Sequence, residues 1–116
     1  MNENRKDLIQ YRLERALETF EDAQILSEKE KWNSTINRLY YSAFYAVTAF
    51  LLTCELTLST HSGVKSNFTE HFIKTGRIEK HYGKMYSQLF SWRQKRDYGD
   101  LFHFNQQMVS PYMEPV

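Results

Sequence analysis

Between Ile36 and Leu52 the chain reads INRLYYSAFYAVTAFLL, and from Leu39 onward only Ser42 and Thr48 interrupt an apolar or aromatic run. A helix that is greasy on all sides belongs in the middle of a fold, because no face of it tolerates water. The run is shorter than the roughly 18 apolar residues that a membrane span needs. It is therefore predicted to be the buried central helix of a small bundle. Ser42, Ala46 and Ala49 recur at helical spacing and form a narrow strip where another helix can approach, while Tyr40, Phe44, Val47 and Leu51 form the bulky face. Asn37, Arg38 and the hydroxyls of Tyr40, Tyr41 and Tyr45 do not fit plain packing. Buried polar groups need partners, or each costs about 1–3 kcal/mol.

The flanking sequence is helical in period. Ile9, Leu13, Ala16, Leu17, Phe20 and Ala23 give one stripe of a first helix over residues 5–31, with Arg12, Glu14, Arg15, Glu18, Glu21 and Asp22 as its solvated face. Asn33 or Ser34 is the expected cap of the central helix. Ser59 or Thr60 should cap a third helix running to Lys74, with Val64, Phe68 and Phe72 inward and Gly76 as its stop. A fourth helix from Ile78 carries Tyr82, Met85, Leu89, Trp92, Arg93 and Arg96 on one side, and Gly99 should close it. Phe102 and Phe104 are expected to pin the tail. Ser110 followed by Pro111 reads as the start of a further helix, which would be cut off after residue 110. β-Alternation is almost absent and only four glycines and two prolines occur in 116 residues. The expected fold class is all-α, one domain over residues 1–116.

The chemistry concentrates in SWRQKRDYGD, residues 91–100. An arginine on the core side of a helix must be paired or face a cleft. Asp97 stands one turn from Arg93, Tyr98 adds a phenol, and Arg38 adds a second guanidinium from the mouth of the central helix. Guanidinium forks fit phosphate oxygens, so Asn37, Arg38, Tyr41, Arg93, Arg96, Asp97 and Tyr98 form a candidate anion pocket. The competing interpretation is an internal Arg–Asp–Tyr network that locks two helices together. Residues 61–100 hold eight Lys/Arg against four Asp/Glu, a mild bias toward an anionic partner. The four histidines, His61, His71, His81 and His103, lack zinc-ligand spacing, and no metal or cofactor is expected. His61 beside Thr60 is read mainly as part of a helix cap. Cys54 is the single cysteine, with no catalytic signature around it, and the polar start MNENRKD precedes no apolar segment. A reducing, cytoplasmic location follows as the expectation.

NRLYYSAFYAVTAFLL, THSGVKSNFTEHFIKTG and LFSWRQKRDYGD occur here in an order that resembles the small bacterial and archaeal HEPN-domain proteins, over Leu8 to Asp100. The resemblance implies an up-and-down bundle of four or five helices, usually a homodimer, often encoded beside a minimal nucleotidyltransferase in toxin–antitoxin or defence modules. The ribonuclease members carry an Arg, a polar residue and a His after four to six intervening residues. There the ribose 2′-hydroxyl attacks the adjacent phosphate, the His moves a proton and the Arg steadies the negative charge. By that resemblance Arg93 takes the Arg place and Gln94 the polar place, but Tyr98 falls where the His would be. A phenol with a pKa near 10 is a poor base at neutral pH. Arg96 and His103 satisfy the spacing formally, yet Gly99 should end the helix between them and Asp97 follows Arg96 where a neutral residue is usual.

Three functions remain in view. The first is a non-catalytic HEPN module that binds a nucleotide, RNA or a nucleotidyltransferase partner. The second is a metal-independent ribonuclease toxin using Arg93 or Arg96 with His103 or Tyr98. The third is a structural dimerising adaptor.

Overall fold

The computed structural model describes residues 3–56, 60–98 and 104–113, with side chains over 4–56, 60–94 and 104–113. These residues form helices α1 (Glu3–Glu28), α2 (Trp32–Thr53), α3 (His61–Phe68), α4 (Lys80–Tyr98) and α5 (Gln106–Met113). A π-helical turn over Thr69–Ile73 extends α3. Among the described residues there is no strand. The fold is all-α, and α2 is its axis, as the apolar run demands. Ile36, Tyr40, Val47 and Leu51 of α2 are buried, and around them pack Ala23 of α1, Val64 of α3, Tyr86 and Leu89 of α4, and Val109 of α5. None of the described helices is long and apolar enough to cross a membrane.

The helix ends explain how α1 and α2 double back. Glu30 and Glu55 both adopt positive φ, at 58° and 61°. Each ends its helix with paired bonds: Lys31 N–H to the Leu26 carbonyl and Glu30 N–H to Ser27, then Leu56 N–H to Leu51 and Glu55 N–H to Leu52. This is the closure that glycine usually makes. Gly76 makes the corresponding turn at φ 78°, as its sequence position predicts. Thr60 caps α3 by accepting a bond from the Gly63 N–H at 3.0 Å.

Several local expectations need correction. No side chain caps α2, whose first flanking residue is Lys31. Asn33 instead accepts the N–H of Phe104 through its Oδ1 at 2.9 Å, clipping the tail to the start of α2. Phe104 then packs on Trp92, whose other neighbour is Tyr112. Ser110 and Pro111 lie inside α5. The start of α5 belongs to Asn105, whose Oδ1 accepts the Met108 N–H at 3.0 Å.

The buried line of α1 also differs from the predicted stripe. Ala16, Thr19 and Ala23 are buried, whereas Leu17 is 68% exposed. The reason is the close approach of α1 to the small-residue strip of α2: Ser42 donates to the Ala16 carbonyl at 2.8 Å. At that separation the line facing α2 favours small side chains, and leucines fall to the flank. Arg12, read as solvated, belongs to this interface; its Nη1 donates to Thr48 Oγ1 at 3.0 Å and its Nε is buried.

Candidate functional site

Tyr40 and Tyr41 are successive residues of α2 and so point about 100° apart. That divergence lets one pair of phenols serve two neighbouring helices. Tyr40 is fully buried, and its hydroxyl meets Nδ1 of His61, the first residue of α3, at 2.6 Å. The His61 ring is stacked on Phe44 at 4.5 Å. Tyr41 is half-buried, and its hydroxyl accepts a bond from Arg93 Nη2 of α4 at 3.1 Å. The Arg93 guanidinium lies 5.5 Å from both tyrosine ring centroids. Arg38, one turn before Tyr41, places its guanidinium 5.8 Å from the same Tyr41 ring. Its Nε and Nη2 both donate to Asn37 Oδ1, at 3.0 and 2.6 Å.

Two guanidiniums therefore lie against the one Tyr41 ring. Cation–π contact of this kind is worth about 0.5–2 kcal/mol. No described carboxylate stands within ion-pair distance of Arg38. Burial pushes the Tyr40 hydroxyl above its ordinary value, while Tyr86 and the positive charge of Arg93 draw it partly back. Burial pushes Tyr86 much further up, and the Tyr40 hydroxyl beside it adds to the effect. The Tyr86 hydroxyl forms no well-directed hydrogen bond.

Of the residues singled out in the sequence, the structure brings together Asn37, Arg38, Tyr41 and Arg93. The side chains of Arg96, Asp97 and Tyr98, like Gly99 and His103, lie outside the described residues. Tyr45 does not join the cluster; it lies under Arg15 of α1, 5.2 Å from guanidinium to ring, and its hydroxyl raises the Arg15 pKa. His61 was not expected here. Thr60 alone supplies the cap, and His61 turns inward to Tyr40. The available signal was the pairing of a lone buried phenol with a histidine at the start of the next helix, which no spacing rule encodes. Among the described residues no group of three His, Cys, Asp or Glu is placed to hold a metal ion.

An apolar opening lies elsewhere. A cavity of about 460 Å³ lies between Ala43 and Ala46 of α2, Met85 and Leu89 of α4, Phe20 and Tyr112. It contains no charged side chain and shares none with the arginine cluster.

The sequence matches the HEPN domain family over residues 9–114. The chain belongs to the HEPN family. It is 42% identical to a UPF0332 protein of Thermotoga maritima over 97% of this chain and 85% of that one. Two Methanocaldococcus jannaschii proteins named “Putative toxin” are also similar: MJ0142, at 35% identity over 74% of this chain and 58% of its own length, and MJ0605, at 34% over 84% and 73%. No solved structure matches. In HEPN terms, the Asn-Arg-x-Tyr-Tyr segment and the start of the Arg-x-x-x-Asp-Tyr segment, far apart in sequence, meet at the Tyr41–Arg93 contact.

Proposed function

We propose that this HEPN domain binds a phosphate-bearing ligand, a nucleotide or RNA, in the cleft between the start of α2 and the end of α4. The observation that carries the reading is the convergence of Arg38 and Arg93 on Tyr41, at 5.8 and 5.5 Å. Arginine forks match phosphate oxygens, and each charge-assisted bond contributes about 1.5–3 kcal/mol. Arg96, Asp97 and Tyr98 complete the proposed pocket. The toxin names of two relatives support a place in a toxin–antitoxin or defence-type pair; the resemblance to HEPN proteins suggests a minimal nucleotidyltransferase as partner and a cytoplasmic location. The exposed Leu13 and Leu17 on α1 support a homodimer.

Binding of adenosine triphosphate and of a short single-stranded RNA to Arg38→Gln and Arg93→Gln tests the pocket. A tenfold or greater loss is expected, with helical content retained. Wild-type affinity in both variants would overturn it.

A second reading, a ribonuclease, gains one observation: an imidazole stands in the same cluster as Arg93, through Tyr40. His61 would accept the ribose 2′-hydroxyl proton as that oxygen bonds to phosphorus. The 5′-oxygen would leave with a proton, giving a cyclic phosphate and a 5′-hydroxyl. RNA cleavage by wild type in EDTA, abolished in His61→Ala, would establish this reading; an inert wild type would remove it.

A further inference from the structure

On the other side of α4 the α3–α4 hairpin encloses a groove of about 480 Å³, a volume suited to a small ligand. Its floor is set by an unusual approach. Gly83 faces Ile73 so closely that a Cβ there would stand 3.0 Å from Ile73 Cγ1. The wall from α3 is the π-helical turn, whose first and last residues, Thr69 and Ile73, both line the groove. π-Turns inside helices are frequent at functional sites.

The rim is cationic. Lys74, Lys80 and Lys84 line it. Lys74 is paired with Glu70 at 3.2 Å, whereas no described carboxylate lies within ion-pair distance of Lys80 or Lys84. Lys65 extends the same face of α3 upward, with its ammonium 5.0 Å from the Phe90 ring. Lys65 to Lys74 spans roughly 14 Å of helix axis, room for more than one phosphate.

Thr69 in the groove, like Thr75 and Ser110 outside it, returns its hydroxyl to a carbonyl one turn earlier. Ser87, Gln88 and Ser91, which line the groove and are half-buried, make no such bond among the described residues. Ammoniums at the rim with free hydroxyl and amide donors within suit tetrahedral oxyanions carrying several acceptor oxygens. No aromatic ring lines the groove, so nothing there stacks a base.

We propose that the α3–α4 groove is a second anion site, which takes phosphate groups through Lys80 and Lys84 with Ser87 and Ser91. It is separate from the Arg38–Arg93 cluster and does not depend on that reading. The phosphates come either from a free polyphosphate or from a polynucleotide backbone.

The test measures binding of inorganic tripolyphosphate and of a ten-nucleotide oligouridylate to wild type, Lys80→Gln/Lys84→Gln, Lys80→Arg/Lys84→Arg and Arg93→Gln. The double glutamine variant is expected to lose at least tenfold in affinity for one or both probes. For the oligonucleotide its slope of log K against log salt should fall by about 1.4, two single-strand phosphate contacts. The arginine variant should bind like wild type, and Arg93→Gln should keep this component. Loss for tripolyphosphate alone assigns a free polyphosphate; loss for the oligonucleotide alone assigns a backbone. Amide shifts at Gly83 and Ser87 on titration should accompany binding. Equal affinity in wild type and the glutamine variant overturns the site, as does an oligoglutamate of matched charge binding as tightly as tripolyphosphate.

Discussion

Gly83 provides a test in which the sign of an effect is reversed by a second residue. In the middle of a helix, Gly→Ala ordinarily stabilises by about 0.8–1 kcal/mol, because alanine has less backbone freedom to lose. Gly83 lies in the first turn of α4, where that gain is an upper bound, and its φ is outside the positive region. Yet the added methyl would stand 3.0, 3.2 and 3.3 Å from Cγ1, Cδ1 and Cγ2 of Ile73. Overpacking of this kind costs about 1–3 kcal/mol. Ile73 is half-buried and yields in part. The net effect of Gly83→Ala is therefore a destabilisation of up to about 2 kcal/mol, or several degrees in Tm at this chain length. Ile73→Ala removes all three opposing carbons. In that background Gly83→Ala should stabilise, by up to about 1 kcal/mol, giving a coupling of about 1–3 kcal/mol in the double-mutant cycle. Urea denaturation of the four proteins measures it. If Gly83→Ala stabilises equally in both backgrounds, α3 and α4 do not approach as closely as described, and the floor of the lysine groove is wrong with them.

Two further outcomes follow from the buried phenol and the helix ends. Tyr86 is held far above the usual tyrosine range by burial; a folded-state pKa above the unfolded one means that stability is full below about pH 10 and falls as pH rises past it. Tyr86→Phe should flatten that alkaline decline and cost little at pH 7, since the lost hydroxyl is poorly partnered; an unchanged alkaline profile would refute it. Glu30→Gly should raise stability by about 0.5–1 kcal/mol, because it relieves a left-handed residue at φ 58°; a lower urea midpoint would contradict the described turn.

The central helix was legible because an apolar run of that length points to the middle of a bundle, and Ile36, Leu39, Tyr40, Val47 and Leu51 are buried there, although Tyr41 to Ala46 are only half-buried and Phe50 is exposed. The inner face of α3 was legible too: Val64, Phe68 and Phe72 recur in helical phase and are all buried. So was the direction of Arg93, since an arginine ending an apolar stripe has few places to go. What stayed hidden was set by contacts between segments. Leu13 and Leu17 share a helical phase with Ala16 and Phe20, and only the small side chains opposite decide which of them α2 admits. Tyr86 escaped the predicted stripe because a phenol at the core boundary is not separable from one at the surface by spacing. The turns at Glu30 and Glu55 use residues that rank poorly for positive φ, so no local rule marks them. Asn33 had a plausible local role as a cap, but the backbone it satisfies is fixed by where the tail crosses the bundle. His61 shows the same limit: a cap and a buried hydrogen-bond partner look alike until the opposite wall is in place.

The π turn after α3, closed by the Lys74 N–H on the Thr69 carbonyl at 2.8 Å, holds one residue more than an α-helix would need. It sits at the C-terminal end of α3, directly before the turn at Gly76. A sister sequence one position shorter between Phe68 and Lys74 would thus straighten locally. A one-residue deletion between Phe68 and Lys74 is therefore expected to be tolerated better than one inside α3 itself.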